Sequence, residues 1–86
     1  MDKNHVLSIV TKLIRREAPE ITAPIPPAAS FEALGVDSMT VMDIVTTVEN
    51  ELGIQIPDDE LALLSTVEVL VDLALAELPA ERPSTT

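Results

Sequence analysis

A chain of 86 residues has room for one domain and no second core. Apolar residues make up 47% of it, Phe31 is the one aromatic, and there is no cysteine, which excludes a disulfide scaffold and any cysteine metal site. The net charge of -10 is uneven, with Lys3, Lys12, Arg15 and Arg16 near the N-terminus, Arg82 the next cation, and only acids among the charged residues from Glu17 to Glu81, a surface that repels nucleic acid and anionic lipid.

The same surface attracts proteins with basic docking patches, or serves solubility alone. Asp2, Lys3, Asn4 and His5 follow Met1, and the apolar residues after them are spaced. Neither a secretory signal nor a membrane span is therefore expected, and the expected location is the cytoplasm.

The first helix is predicted from Asp2 or Lys3 to Arg16. Asp2 is its N-cap, and Val6, Ile9, Val10, Leu13 and Ile14 form its apolar face. Lys12, Arg15 and Arg16 suit the negative end of its dipole, and Pro19 ends it. A long connection runs from Glu17 to Asp37, stiffened by Pro19, Pro24, Pro26 and Pro27. Ile21, Ile25, Phe31 and Leu34 are expected to pin it, with a helical turn from Ser30 to Leu34. Gly35 permits a left-handed backbone before the next helix.

The second helix is predicted from Ser38 to Leu52, with Asp37 as N-cap. Val41, Ile44, Val45, Val48 and Leu52 are its buried stripe, and Gly53 closes it with Ile54 packing back. Pro57 opens a short third helix from Asp58 to Leu63 or Leu64, its acids at the positive end. Ser65 and Glu68 have capping-box spacing and open a fourth helix to Glu77 or Leu78. Its inward residues are Val67, Leu70, Val71 and Ala74, and Pro79 stops it. No strand signal has weight. The reading is an all-α, four-helix bundle over residues 1–79, with three main helices, one short helix and a long first loop. Residues 80–86 are expected to be a disordered tail.

Several unrelated helical domains fit that description, so function has to come from a site. The informative stretch is Phe31-Glu32-Ala33-Leu34-Gly35-Val36-Asp37-Ser38-Met39, which puts a hydroxyl at the first position of a helix. A helix start offers free N–H groups and partial positive charge, and so favours a phosphate. Asp37 beside it opposes that slightly. Taken alone, Asp37-Ser38 reads as helix capping.

The wider context points elsewhere. Leu34-Gly35-Val36-Asp37-Ser38-Met39 before an amphipathic helix resembles the acyl carrier protein family. The resemblance runs from Phe31 to Leu75. It takes in Glu49-Asn50-Glu51-Leu52-Gly53, Ile56-Pro57-Asp58-Asp59-Glu60 and Ser65-Thr66-Val67. It implies that Ser38 accepts 4'-phosphopantetheine from coenzyme A through a phosphopantetheinyl transferase, with Asp37 as its motif neighbour. Acyl groups are then held as thioesters on the arm, which reconciles thiol chemistry with a chain that has no cysteine. The chain is then a carrier and not an enzyme.

Two positions depart from the fatty-acid pattern, where an acid often stands at Thr40 and Leu at Met39. Gly35-Val36 departs from the Gly-Gly of peptide-synthetase carriers. The reading is a free-standing carrier for polyketide or related specialised biosynthesis. The alternatives are an aminoacyl or peptidyl carrier and, from a different class, an acidic helical adaptor without a prosthetic group.

The expected partners are acyltransferases, ketosynthases or acyl- and aminoacyl-loading enzymes with basic docking surfaces, and neither nucleic acid nor membrane. The chain by itself is expected to be a monomer. Met39, Met42, Asp43, Thr46 and Glu49 are the expected contacts, because they fall mainly outside the buried stripe of the second helix and the arm must reach the partner. Asp58, Asp59 and Glu60 lack EF-hand spacing and read as helix-start acids, so no metal is expected. His5 has no partner arrangement and is assigned no chemistry.

Overall fold

A computed structural model describes residues 2–78. α1 spans Lys3–Glu17, α2 Ser38–Leu52, α3 Asp58–Leu61 and α4 Val67–Glu77. The expected tail at 80–86, and the part of Pro79 in stopping α4, lie outside the described residues. None of the described helices is long and apolar enough to cross a membrane.

α1 begins where a side chain can replace the missing acceptors of its first turn: the Asp2 carboxylate accepts the His5 N–H at 2.8 Å. Val6, Val10, Leu13 and Ile14 turn one face inward, and α1 packs against both α4 and α2 along that face. Ile9, expected in the same face, is only half-buried. On α2 the fully buried residues are Ile44, Val45 and Val48, while Val41 and Leu52 are half-buried at the margins. α4 turns Val67, Leu70, Val71 and Ala74 inward. No polar or charged residue is buried among those described, so the core is wholly apolar. Each fully buried Val, Leu or Ile in it contributes about 1.5–3 kcal/mol relative to exposure.

The long connection is ordered by several independent ties. Arg15 donates to the Ile21 carbonyl at 3.2 Å and the Ala23 carbonyl at 3.1 Å, so it holds the loop as well as favouring the helix end. Ile25, Phe31 and Val36 plug into the core. Ile21 and Leu34, expected to pin the loop with them, are half-buried against that core. The turn after Ser30 is closed by its hydroxyl, which accepts the Ala33 N–H at 3.0 Å, and Gly35 leaves the turn with φ at +77°.

Two expectations are corrected. α3 stops at Leu61, short of Leu63 or Leu64. It has no side-chain cap and no buried residue to reward a longer helix, and the chain continues in tighter turns, Leu63 N–H to Glu60 and Leu64 N–H to Leu61.

α4 is capped by Thr66, whose hydroxyl accepts the Val69 N–H at 3.1 Å, and not by a Ser65–Glu68 box. Both halves of that box are engaged elsewhere. The Glu68 N–H goes to the Pro27 carbonyl at 2.8 Å, and its carboxylate takes the Lys3 ammonium at 3.0 Å. The Val67 N–H goes to the Ala29 carbonyl at 3.0 Å, and an isolated antiparallel bridge joins Ser30 to Thr66. The loop backbone thus supplies acceptors that the start of α4 lacks, which fastens the loop beside the α3–α4 junction.

Candidate functional site

The loop delivers the chain to α2 in an extended conformation. Asp37 has φ -81° and ψ 172°, and its Oδ1 accepts the Thr40 N–H at 2.9 Å. Its main-chain carbonyl accepts the Val41 N–H, also at 2.9 Å. The helix therefore has its cap without Ser38. At this pair Asp37 takes the capping bond, and the Ser38 hydroxyl is exposed.

Hydrogen bonding from the Thr40 backbone N–H and then the Thr40 hydroxyl, with a smaller contribution from the Met39 N–H, holds the Asp37 carboxyl below the usual carboxylate range. Asp37 is thus an anion beside Ser38 at neutral pH. The helix dipole works against that charge and favours a phosphate.

Beside Ser38 lies a cleft of about 510 Å³, between the turn at Ser30–Glu32, the first turns of α2 and the α3–α4 connection. Phe31, Val36, Val41, Met42, Leu61 and Leu64 give it apolar walls, and Ser30, Glu32, Ser38 and Ser65 rim it. Phe31 and Val36 are buried in the core behind it. A free primary hydroxyl at a helix start, next to an apolar cleft, fits a phosphodiester-linked arm whose far end carries an apolar group.

The expected docking residues are not all alike. Met39 is 75% exposed and Met42 47%, the latter also forming part of the cleft wall. Asp43 and Thr46 are exposed on the same helix. Glu49 differs from the expectation of a solvent-facing charge. It is half-buried, and its Oε2 accepts the Ile56 N–H at 2.8 Å. A carboxylate so engaged joins the end of α2 to the following segment.

The sequence reading missed Leu63, which is 65% exposed between Leu61 and Leu64 of the cleft wall. The signal was available: Leu61 and Leu64 share one face at a spacing of three, and Leu63 falls off it.

Comparison with known proteins agrees with this geometry. Residues 4–74 match the family model described as a phosphopantetheine attachment site. The chain is 35% identical over 71 residues to an acyl carrier protein of Myxococcus xanthus, covering 81% of this chain and 90% of that one. It is also similar to the acetyl-donor carrier crystallised with the HMG synthase of the curacin biosynthetic pathway. There the TM-score is 0.80 and the identity 37%, over 90% of this chain and 100% of the other. An acyl carrier protein from Thermotoga maritima shares the fold, with a TM-score of 0.78 at 22% identity over 90% of this chain and 91% of that one.

Proposed function

The chain belongs to the acyl carrier protein family, and from that premise we propose that Ser38 bears the prosthetic arm and that α2 presents it to partner enzymes. Family membership makes the protein a carrier of acyl groups on covalent 4'-phosphopantetheine and not a catalyst. It also sets aside the adaptor without a prosthetic group. When attached, the arm supplies a terminal thiol and a flexible tether that raises the local concentration of its cargo at each partner.

The observation that carries the assignment is the division of labour at the helix start. Asp37 takes the capping hydrogen bond, and Ser38 is exposed with no side-chain hydrogen bond among the described residues. The positive end of the α2 dipole favours the phosphate. The apolar cleft beside Ser38 offers shelter to the near part of an apolar cargo.

Carriers of this family work with partner enzymes. For this chain they are a phosphopantetheinyl transferase and then acyl-transferring or condensing enzymes with basic docking surfaces. Met39, Met42 and Leu63 supply exposed apolar surface for such contacts, and Asp43 supplies charge. Thr40 in place of an acid leaves the first turn of α2 without acidic residues, and apolar contact takes a larger share there. We place the carrier in polyketide or related specialised biosynthesis. Supporting this are Met39 and Thr40 at the arm's root and the likeness to the acetyl-donor carrier of the curacin pathway.

The test is the intact mass of the chain after incubation with coenzyme A and a promiscuous phosphopantetheinyl transferase. One added phosphopantetheine is expected. An unmodified chain would contradict the proposal.

A further inference from the structure

Glu49 receives three N–H groups from the residues that follow α2. Its main-chain carbonyl accepts those of Gly53 and, at 3.0 Å, Ile54, and its carboxylate accepts that of Ile56 at 2.8 Å. The left-handed Gly53 turns the chain back so that this reach is possible. Ile56 is 2% exposed, so the carboxylate fastens the backbone at a residue locked in the core.

The next residues are Pro57 and α3, which has no buried residue and no side-chain cap. Leu61 and Leu64 pack against the core from one side, and the segment is anchored at one end by Ile56 and at the other by the Phe31 N–H to the Ser65 carbonyl, at 3.1 Å, and the Ser30–Thr66 bridge. Between these anchors stand Leu61 and Leu64, one wall of the cleft beside Ser38. Glu49 lies eleven residues beyond Ser38, roughly 16 Å along the helix. It is therefore remote from the arm's root yet tied to the wall of the cleft.

We propose that Glu49 is a positioning residue for the cleft: by holding the Ile56 amide it sets where Leu61 and Leu64 stand, and so how large a cargo the cleft shelters. This rests on the reading that the cleft shelters cargo. Removing the carboxylate leaves a part-buried N–H without its acceptor and lets the α3 segment shift outward. Gln keeps a carbonyl acceptor at the same reach, and so restores the wall where Ala does not.

The experiment compares the parent with Glu49→Gln and Glu49→Ala. Without the arm, Ile56 amide exchange should speed up by roughly tenfold in Glu49→Ala, the scale of one lost hydrogen bond to a charged acceptor. The Leu61 and Leu64 methyl signals should move while those of Ile44 and Leu70 stay. Glu49→Gln should remain near the parent on both readouts. With the arm loaded by straight acyl groups of two to eight carbons, the parent's melting temperature should rise with chain length to a limit. Glu49→Ala should shift that limit, and Glu49→Gln should retain it.

Unmoved Leu61 and Leu64 methyls in Glu49→Ala would overturn the proposal. So would an unchanged chain-length limit, given a parent that shows one. A parent with no dependence on chain length would instead overturn the shelter reading itself, whatever the methyl signals do.

Discussion

Asp37 and Thr40 are joined by a 2.9 Å hydrogen bond from the Thr40 amide to the Asp37 carboxylate, and this bond caps α2 without the Ser38 hydroxyl. Asp37→Ala should therefore lower stability measurably, the ordinary effect of losing an N-cap. Ser38→Ala should change stability by no more than a few tenths of that. Chemical denaturation of the two variants checks the contrast. Equal losses would show that Ser38 shares the capping.

The same bond has a pH signature. The Asp37 carboxyl is held below its ordinary range, first by the Thr40 backbone N–H. The folded state thus favours the ionised form. The stabilisation is fully present above the ordinary aspartate range and is lost as pH falls through the depressed value. Asp37 should accordingly titrate by NMR below the ordinary aspartate range. A Thr40→Pro exchange, which removes both the N–H and the hydroxyl, should bring it back towards that range. An Asp37 midpoint within the ordinary aspartate range would contradict the account.

The core makes a sharper demand. Ile44 and Leu70 are fully buried, and Phe31 is 5% exposed. Ile44→Ala or Leu70→Ala should cost roughly 2–5 kcal/mol, a large share of the stability of so small a domain. Leu34, expected to pin the loop and found half-buried, should cost less when cut to Ala. Thermal unfolding of the three variants gives the order. A Leu34 effect as large as that of Ile44 would mean that the loop closes more tightly than described.

How much of this was legible in the sequence follows the range of the interactions. The bounds of α2 could be read because Asp37 and Gly53 act on their own helix ends. The inward face of α4 could be read because Val67, Leu70, Val71 and Ala74 keep helical spacing. The cap of α4 could not, since it depends on Pro27 and Ala29 reaching Glu68 and Val67 from far along the chain. Glu49 carried the composition of a surface charge. Its role appears only when the left-handed Gly53 brings Ile56 back to it. The candidate residue Ser38 was visible through its motif. The cleft beside it was not, because its walls come from three separate segments.

Docking should be read most clearly on α2 and the exposed Leu63. Met39→Ala, Met42→Ala and Leu63→Ala should each raise the dissociation rate from a cognate partner by about fivefold, with helicity unchanged. Asp43→Arg should slow association and weaken its salt dependence. The measurement is acyl-transfer and binding kinetics on arm-bearing variants at low and high salt. Parent-like behaviour in all four would move the docking surface off this face.

The central claim is that the arm sits on Ser38, and peptide mapping tests it most directly. Cleavage before aspartate releases Asp37–Met42, in which Ser38 and Thr40 are the only hydroxyl residues. After loading from coenzyme A, that peptide should carry one phosphopantetheine in the parent and none in Ser38→Ala, with both proteins folded alike. A modified Asp37–Met42 peptide from Ser38→Ala, or an arm found on any other peptide of the parent, would contradict the account.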